Sequence, residues 1–128
     1  MSLRVALGAA LAFSFTLAAL PLHNANAADA SAGKGVFRQR CAICHSDAKG
    51  VNKIGPSLFG VVGRKAGSVA GYTYSTADEK SDLVWDAATL DRYLQHPQQV
   101  VPGTKMGFAG LPDAGARADL IAYLETLH

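Results

Sequence analysis

The stretch "RQRCAICHSD", Arg38 to Asp47, contains the only two cysteines of the chain, Cys41 and Cys44, with His45 directly behind the second. Five residues thus gather two thiols and an imidazole, and the fold has to serve whatever joins them. A chain of 128 residues, 49% hydrophobic and 17% charged, has room for one compact domain. Its 12 basic residues against 10 acidic ones signal neither a nucleic-acid binder nor a strongly acidic partner.

The N-terminal part is of a different kind. Arg4 precedes the apolar run "VALGAALAFSFTLAALPL", and Ala25-Asn26-Ala27 has the small-x-small form of a signal-peptidase site. These features predict a secretory signal peptide over residues 1–27, a mature domain over residues 28–128 and export to the periplasm. The alternative is a retained membrane anchor from Val5 to Leu20, since the run approaches the lower length limit for a bilayer span. Pro21 and the Ala-Asn-Ala site favour cleavage. Cleavage removes Met1, Arg4 and His23, so Met106 becomes the one methionine and His45, His96 and His128 the remaining histidines.

In the mature part, Asp29 is placed to cap a helix whose apolar residues Ala32, Val36 and Phe37 recur at helical spacing and lead into Cys41. From Lys49 to Gly71 the chain is punctuated by glycine without a sustained period, which predicts loops and short turns. Asp78 to Trp85 fits no single element. Asp86 is a second N-cap, followed by Leu90, Tyr93 and Leu94 on one face, with Pro97 as the stop. Three prolines and three glycines between Pro97 and Pro112 predict irregular backbone there. A last helix starts near Asp113 and carries Leu120, Ile121, Tyr123, Leu124 and Leu127. The expectation is an all-α chain with three main helices and long loops. Loops of that length in a small domain need a large buried ligand to complete the core.

Cys-x-x-Cys-His is the attachment signature of c-type haem. One helical turn separates the thiols, so each can add to one vinyl group of a porphyrin edge while the next residue sends its imidazole under the iron. Three other readings compete. A disulfide across two intervening residues closes a very small loop and constrains little of the unfolded chain. A thioredoxin-like motif needs alternating strands and helices, which are not predicted here. A zinc site needs two further ligands at metal-binding spacing. One covalent haem c, joined through Cys41 and Cys44 with His45 as metal ligand, fits best.

The sixth iron position decides between closed electron transfer and an open, ligand-binding iron. Candidates are Met106, His96, His128 and, remotely, a lysine. Met106 is favoured because "PGTKMGFAG" is a loop able to wrap a flat group and present a thioether from the far side, whereas gap-filling methionines belong on packed elements. His96 stands at a helix end before Pro97, and His128 is the C-terminal residue. A thioether favours the ferrous state and raises the potential relative to a second imidazole.

The motifs in order, "CAICH", "GPSLFGVVGRKAG", "GYTYS", Trp85, Tyr93, "PGTKM" followed by Phe108, and "RADLIAYL", resemble class I c-type cytochromes, the branch of bacterial cytochrome c2 and mitochondrial cytochrome c. The likeness covers nearly all of residues 29–127. It implies the small cytochrome c fold wrapped around one covalent haem, with the carbonyl of Pro56 accepting the other ring N–H of His45. It also implies that Tyr93 hydrogen-bonds near the Met106 sulfur and that Phe108 lines the haem. Arg64, Tyr72, Tyr74, Trp85 and Thr104 match positions that hold the buried propionates. Gly33 and Phe37 match a helix face that crosses Leu120 and Tyr123. For each aromatic, plain core packing is the alternative.

Two departures stand out. Asp78 occupies a place where relatives commonly carry asparagine close to a propionate, which predicts a lowered or pH-dependent potential. Gln98 and Gln99 stand where relatives often have docking lysines, leaving Arg40, Lys49, Lys53, Lys65 and Lys105 as a partial ring that steers acidic partners less strongly. The resulting expectation is a soluble, monomeric, periplasmic one-electron carrier and not an enzyme. Its partners would be an oxidase, reductase, dehydrogenase or photosynthetic reaction centre, and no nucleic acid. The rival is a ligand-binding or peroxidatic haem protein with a labile Met106.

Overall fold

The structure, a computed structural model, describes residues 27–128. The leader expected over residues 1–27 therefore lies outside the described residues, except for Ala27. Five helices follow one another: α1, Ala30–Arg40; α2, Thr76–Lys80; α3, Ala87–Gln95; α4, Pro97–Val100; and α5, Ala114–Glu125. Among the described residues, extended pairing is limited to one antiparallel bridge, Lys65 with Val84. No helix among them is long and apolar enough to cross a membrane.

The three longer helices begin where the aspartates are. Asp29, Asp86 and Asp113 each accept a backbone N–H of the first turn, from Ser31 at 2.8 Å, Thr89 at 2.7 Å and Ala116 at 2.6 Å. Each thereby satisfies one of the donors that a helix start leaves free. The bond from Thr89 also holds the Asp86 carboxyl below its ordinary range.

The core is the crossing of α1 with α5, closed by α3. Phe37, Leu90, Leu94, Leu120, Ile121, Tyr123 and Leu124 are buried together with Val61 and Leu111. Leu120 is 1% exposed, and burying such a side chain contributes about 2 kcal/mol. The Phe37 and Tyr123 rings meet at 5.6 Å. Gly33 is what lets the two helices approach: a Cβ there would overlap the Asp119 carbonyl and sit 2.9 Å from Cβ of Tyr123. The backbone N–H of Asp29 donates to Asp119 at 2.7 Å, tying the start of α1 to α5.

Two short helices depart from the sequence expectation. Pro97 is not only the end of α3; it is the first residue of α4, where its fixed φ suits the helix and its missing N–H would have been unpaired anyway. A short helix, α2, capped by Ser75, reaches into the start of the ambiguous Asp78–Trp85 segment. It then runs into the bridge, where Ala66 donates to Leu83 and Trp85 to Arg64, both at 2.9 Å. After α4 the chain folds back tightly on α3. Gly110, at φ +109, passes so close to the Gln95 carbonyl that any Cβ would overlap it, and Leu111 donates to Leu94 at 2.8 Å. Arg117, buried in α5, fastens that return by donating to the carbonyls of Leu111 and Pro112 and to Asp91.

Candidate haem-binding site

Cys41 ends α1, and the backbone keeps turning: Cys44 and His45 both donate to the Cys41 carbonyl, at 3.0 and 2.9 Å. The motif is therefore one rigid turn at a helix end. The two sulfurs are not joined in a disulfide. Burial pushes the Cys41 thiol up to about 11, against the pull of Arg40 and with a smaller push from Cys44. A thioredoxin-like cysteine needs the opposite shift. Among the described residues no three His, Cys, Asp or Glu side chains gather in a metal-holding group, so the thiols have no partners for a zinc site.

His45 lies with its Nδ1 2.8 Å from the Pro56 carbonyl. A carbonyl only accepts, so Nδ1 carries the proton and Nε2 is left with the lone pair that can bind a metal. Burial lowers the His45 pKa, against the opposing Pro56 bond, with Lys53 and Arg64 adding to the depression. The ring leans on Gly55, where a Cβ would overlap it, 2.6 Å from Nδ1. Gly55 is in turn held by its N–H on the Cys44 carbonyl at 2.7 Å. Asn52 and Ser57, which sequence reading did not single out, brace this loop. Asn52 accepts from the Ser57 N–H at 2.9 Å and donates to Ala70, and the Ser57 hydroxyl donates to Ala48 at 2.7 Å. Their signal in the sequence is weak, since a loop asparagine or serine has many possible partners.

Met106 hangs from a second network. Its N–H donates to the Thr104 hydroxyl at 3.4 Å, and Gln98 donates to the Thr104 and Met106 carbonyls at 3.0 and 3.4 Å. The Thr104 hydroxyl donates to the buried Asp78 carboxylate at 3.1 Å, which also accepts from Ser75 at 2.6 Å. Tyr93 brings its hydroxyl to 3.3 Å from Thr104 and its ring to 4.7 Å from Trp85. Burial raises the Tyr93 pKa, and the Thr104 bond opposes it.

The remaining predicted residues line the loops between. Arg64 donates to the carbonyls of Phe59 and Ser57, at 2.9 and 3.0 Å, and its burial lowers its pKa. Tyr72 and Tyr74 meet edge to face at 4.7 Å. The Tyr72 hydroxyl donates to Ile54 at 2.8 Å, and the Tyr74 hydroxyl accepts from the Val69 N–H at 3.2 Å. Burial raises the Tyr74 pKa despite that bond.

The donor set and the shape both suit a covalent porphyrin. Cys41, Ala42, Leu58, Val62, Trp85 and Phe108 pack on the core while staying half-buried, an apolar wall of the kind a flat porphyrin face covers. Two thiols one turn apart and an imidazole whose Nε2 is left unbonded by the Pro56 contact supply the donors that a covalent haem needs. This defines a class, the small all-α proteins that carry one covalent haem c.

A family model described as cytochrome c matches residues 30–128, and the chain belongs to the cytochrome c family. It is 58% identical over 95 residues to cytochrome c2 of Rhodopila globiformis, covering 74% of this chain and 90% of that protein. It is 48% identical over 99 residues to cytochrome c of Euglena viridis, covering 77% and 97% of the two chains. Among solved structures, cytochrome cH from Methylobacterium extorquens matches with a TM-score of 0.72 and 48% identity, over 77% of this chain and 98% of that one. The chain is thus a haem electron carrier and not an enzyme.

Proposed function

We propose that the chain is a soluble, monomeric, periplasmic one-electron shuttle, made with a leader over residues 1–27 that is removed. In this reading Cys41 and Cys44 would hold the haem through thioethers, His45 Nε2 and the Met106 sulfur would bind its iron, and Pro56 orients His45. Arg64, Tyr72, Tyr74, Trp85, Tyr93, Thr104 and Phe108 surround the group. The haem supplies a one-electron iron couple. The residues supply rigidity, keeping ligands and charges nearly the same in both oxidation states. Partners are redox proteins that dock transiently: an oxidase, reductase, dehydrogenase or photosynthetic reaction centre.

The observation that carries the reading is the bracing of Met106 by Thr104 and Gln98, with Thr104 itself fastened to buried Asp78. A thioether on a loop held this way favours a closed iron over one that opens to outside molecules. The test is a visible and near-infrared spectrum of the ferric and ferrous holoprotein, followed by exposure of the ferrous form to carbon monoxide. A haem c spectrum with a weak sulfur-to-iron band in the far red, and no fast carbon monoxide binding, is expected. Rapid carbon monoxide uptake would favour the ligand-binding rival. The mass of the mature N-terminus tests the leader.

A further inference from the structure

Met106 stands just ahead of a stretch whose backbone the protein does not hold directly. Among the described residues, no backbone group of Gly107, Phe108, Ala109 or Gly110 makes a hydrogen bond; the Phe108 ring alone leans on the core. An extended chain reaches about 3.3–3.6 Å per residue, so such a stretch has slack. Where Met106 sits is therefore decided at the two ends of its loop.

The ends are held differently. Upstream, Thr104 is fastened to Asp78. Met106 itself, however, has only a 3.4 Å bond from its N–H to Thr104 and a 3.4 Å bond to its carbonyl from exposed Gln98. Downstream, Arg117 is 5% exposed. It donates to the Leu111 and Pro112 carbonyls at 2.9 and 2.8 Å and to the Asp91 carboxylate at 2.7 Å. Charge-assisted bonds kept from water are the stronger kind. Asp91 lies on α3 and Arg117 on α5, so one guanidinium ties the returning chain to both helices. The Leu111 N–H on Leu94 and the close passage of Gly110 over Gln95 belong to the same anchor.

We infer that Arg117 is a positioning residue for the sixth iron ligand. None of its bonds reaches Met106, yet it fixes the downstream end of the loop that carries the thioether and so sets how often the sulfur leaves the metal. This rests on the reading of Met106 as an axial ligand. Without the anchor, the return lifts from α3 and α5, the unbonded stretch swings, and a small neutral ligand finds the sixth position open more often.

The test follows imidazole binding to the ferric holoprotein at rising imidazole concentration, where the saturating rate reports the departure of Met106. Amide hydrogen exchange of Leu111 is a second readout. Arg117→Met keeps the length and removes the donors; it is expected to raise the saturating rate roughly tenfold, the order set by loss of charge-assisted bonds. Leu111 exchange should speed up by a similar factor, and exchange within α1 by less. Arg117→Lys, with one cationic donor, should recover part of both. Phe37→Leu, a core change on α1, should lower the denaturation midpoint and leave the saturating rate unchanged. A rate for Arg117→Met within twofold of wild type overturns the inference, and so does an equal rise in Phe37→Leu. Should Arg117→Met not fold, Asp91→Asn loosens only the hold on α3; a rise of about threefold supports the anchor and an unchanged rate overturns it. If ferric wild type shows no far-red sulfur-to-iron band and binds imidazole without saturation, the Met106 reading itself fails. Band and saturation with unmoved Arg117 variants sink the positioning role alone.

Discussion

The hydroxyl of Thr104 donates to the carboxylate of Asp78 across 3.1 Å, joining the Met106 loop to α2 over 26 residues of sequence. Asp78 is 7% exposed, and its charge is balanced locally by hydroxyl donors alone, from Ser75 and Thr104. In the proposed reading this anion would lie close to the haem and would stabilise the ferric state. Asp78→Asn keeps an acceptor for Thr104 and removes the charge, so voltammetry of the holoprotein at neutral pH should show a higher potential. Equal potentials in the two proteins would falsify the assignment.

Thr104→Val removes the same link from its other end. Asp78 then keeps one hydroxyl donor instead of two, and the Met106 N–H loses its acceptor. A loss of about 1–3 kcal/mol is expected from the unpaired Met106 N–H and the weakened hold on Asp78. In guanidinium titrations of the holoprotein, the far-red sulfur-to-iron band should disappear before the helical circular dichroism does. Simultaneous loss of both signals would mean that Thr104 does not hold the Met106 loop.

Gly33→Ala should be severely destabilising although it adds only a methyl group. The new Cβ has no room between the Asp119 carbonyl and Tyr123, so α1 and α5 must separate. Overpacking of this kind costs about 3 kcal/mol. Gly35→Ala, one turn face away where a Cβ meets nothing within 4 Å, serves as the control and should stabilise slightly by favouring helix. Chemical denaturation of the two variants measures the difference.

Tyr123 donates to Asp47 at 2.6 Å, and burial, with that bond adding, pushes its phenol up to about 12 from an ordinary 10.0. A raised pKa means that the folded state holds its proton where the unfolded state has lost it. The resulting stability is complete below about pH 10 and disappears as the pH rises towards 12. Tyr123→Phe should therefore be less stable near neutrality by about 1 kcal/mol and should lose less on going from pH 9 to 11. Urea midpoints across that range decide it; parallel losses in the two proteins would refute the assignment.

Much of the fold was legible because its signals are local. Asp29, Asp86 and Asp113 each start a helix by bonding a backbone N–H two or three residues ahead, and such caps depend on almost nothing else. The Cys41–His45 turn is equally local. What stayed hidden was of two kinds. The short helices α2 and α4 have too few residues for a period to show, and Pro97 signals both an end and a beginning. Gly55, Asn52 and Ser57 around His45, and Arg117 beneath the return loop, act through backbone groups of distant residues, for which no residue type is diagnostic.

The sequence by itself determined the cofactor chemistry, because two thiols and an imidazole at a fixed spacing need no tertiary context to be recognised. It also determined where the main helices begin, through aspartates placed at their starts. Tertiary structure alone decided which groups meet across the chain: Asp78 under Thr104, Gly33 against Asp119, and Ile43 beside the Lys53–Gly55 segment. Burial and exposure belong to what packs on a residue and not to the residue itself. An aspartate becomes a buried anchor, and an isoleucine stays exposed, only once the loops have closed around the site.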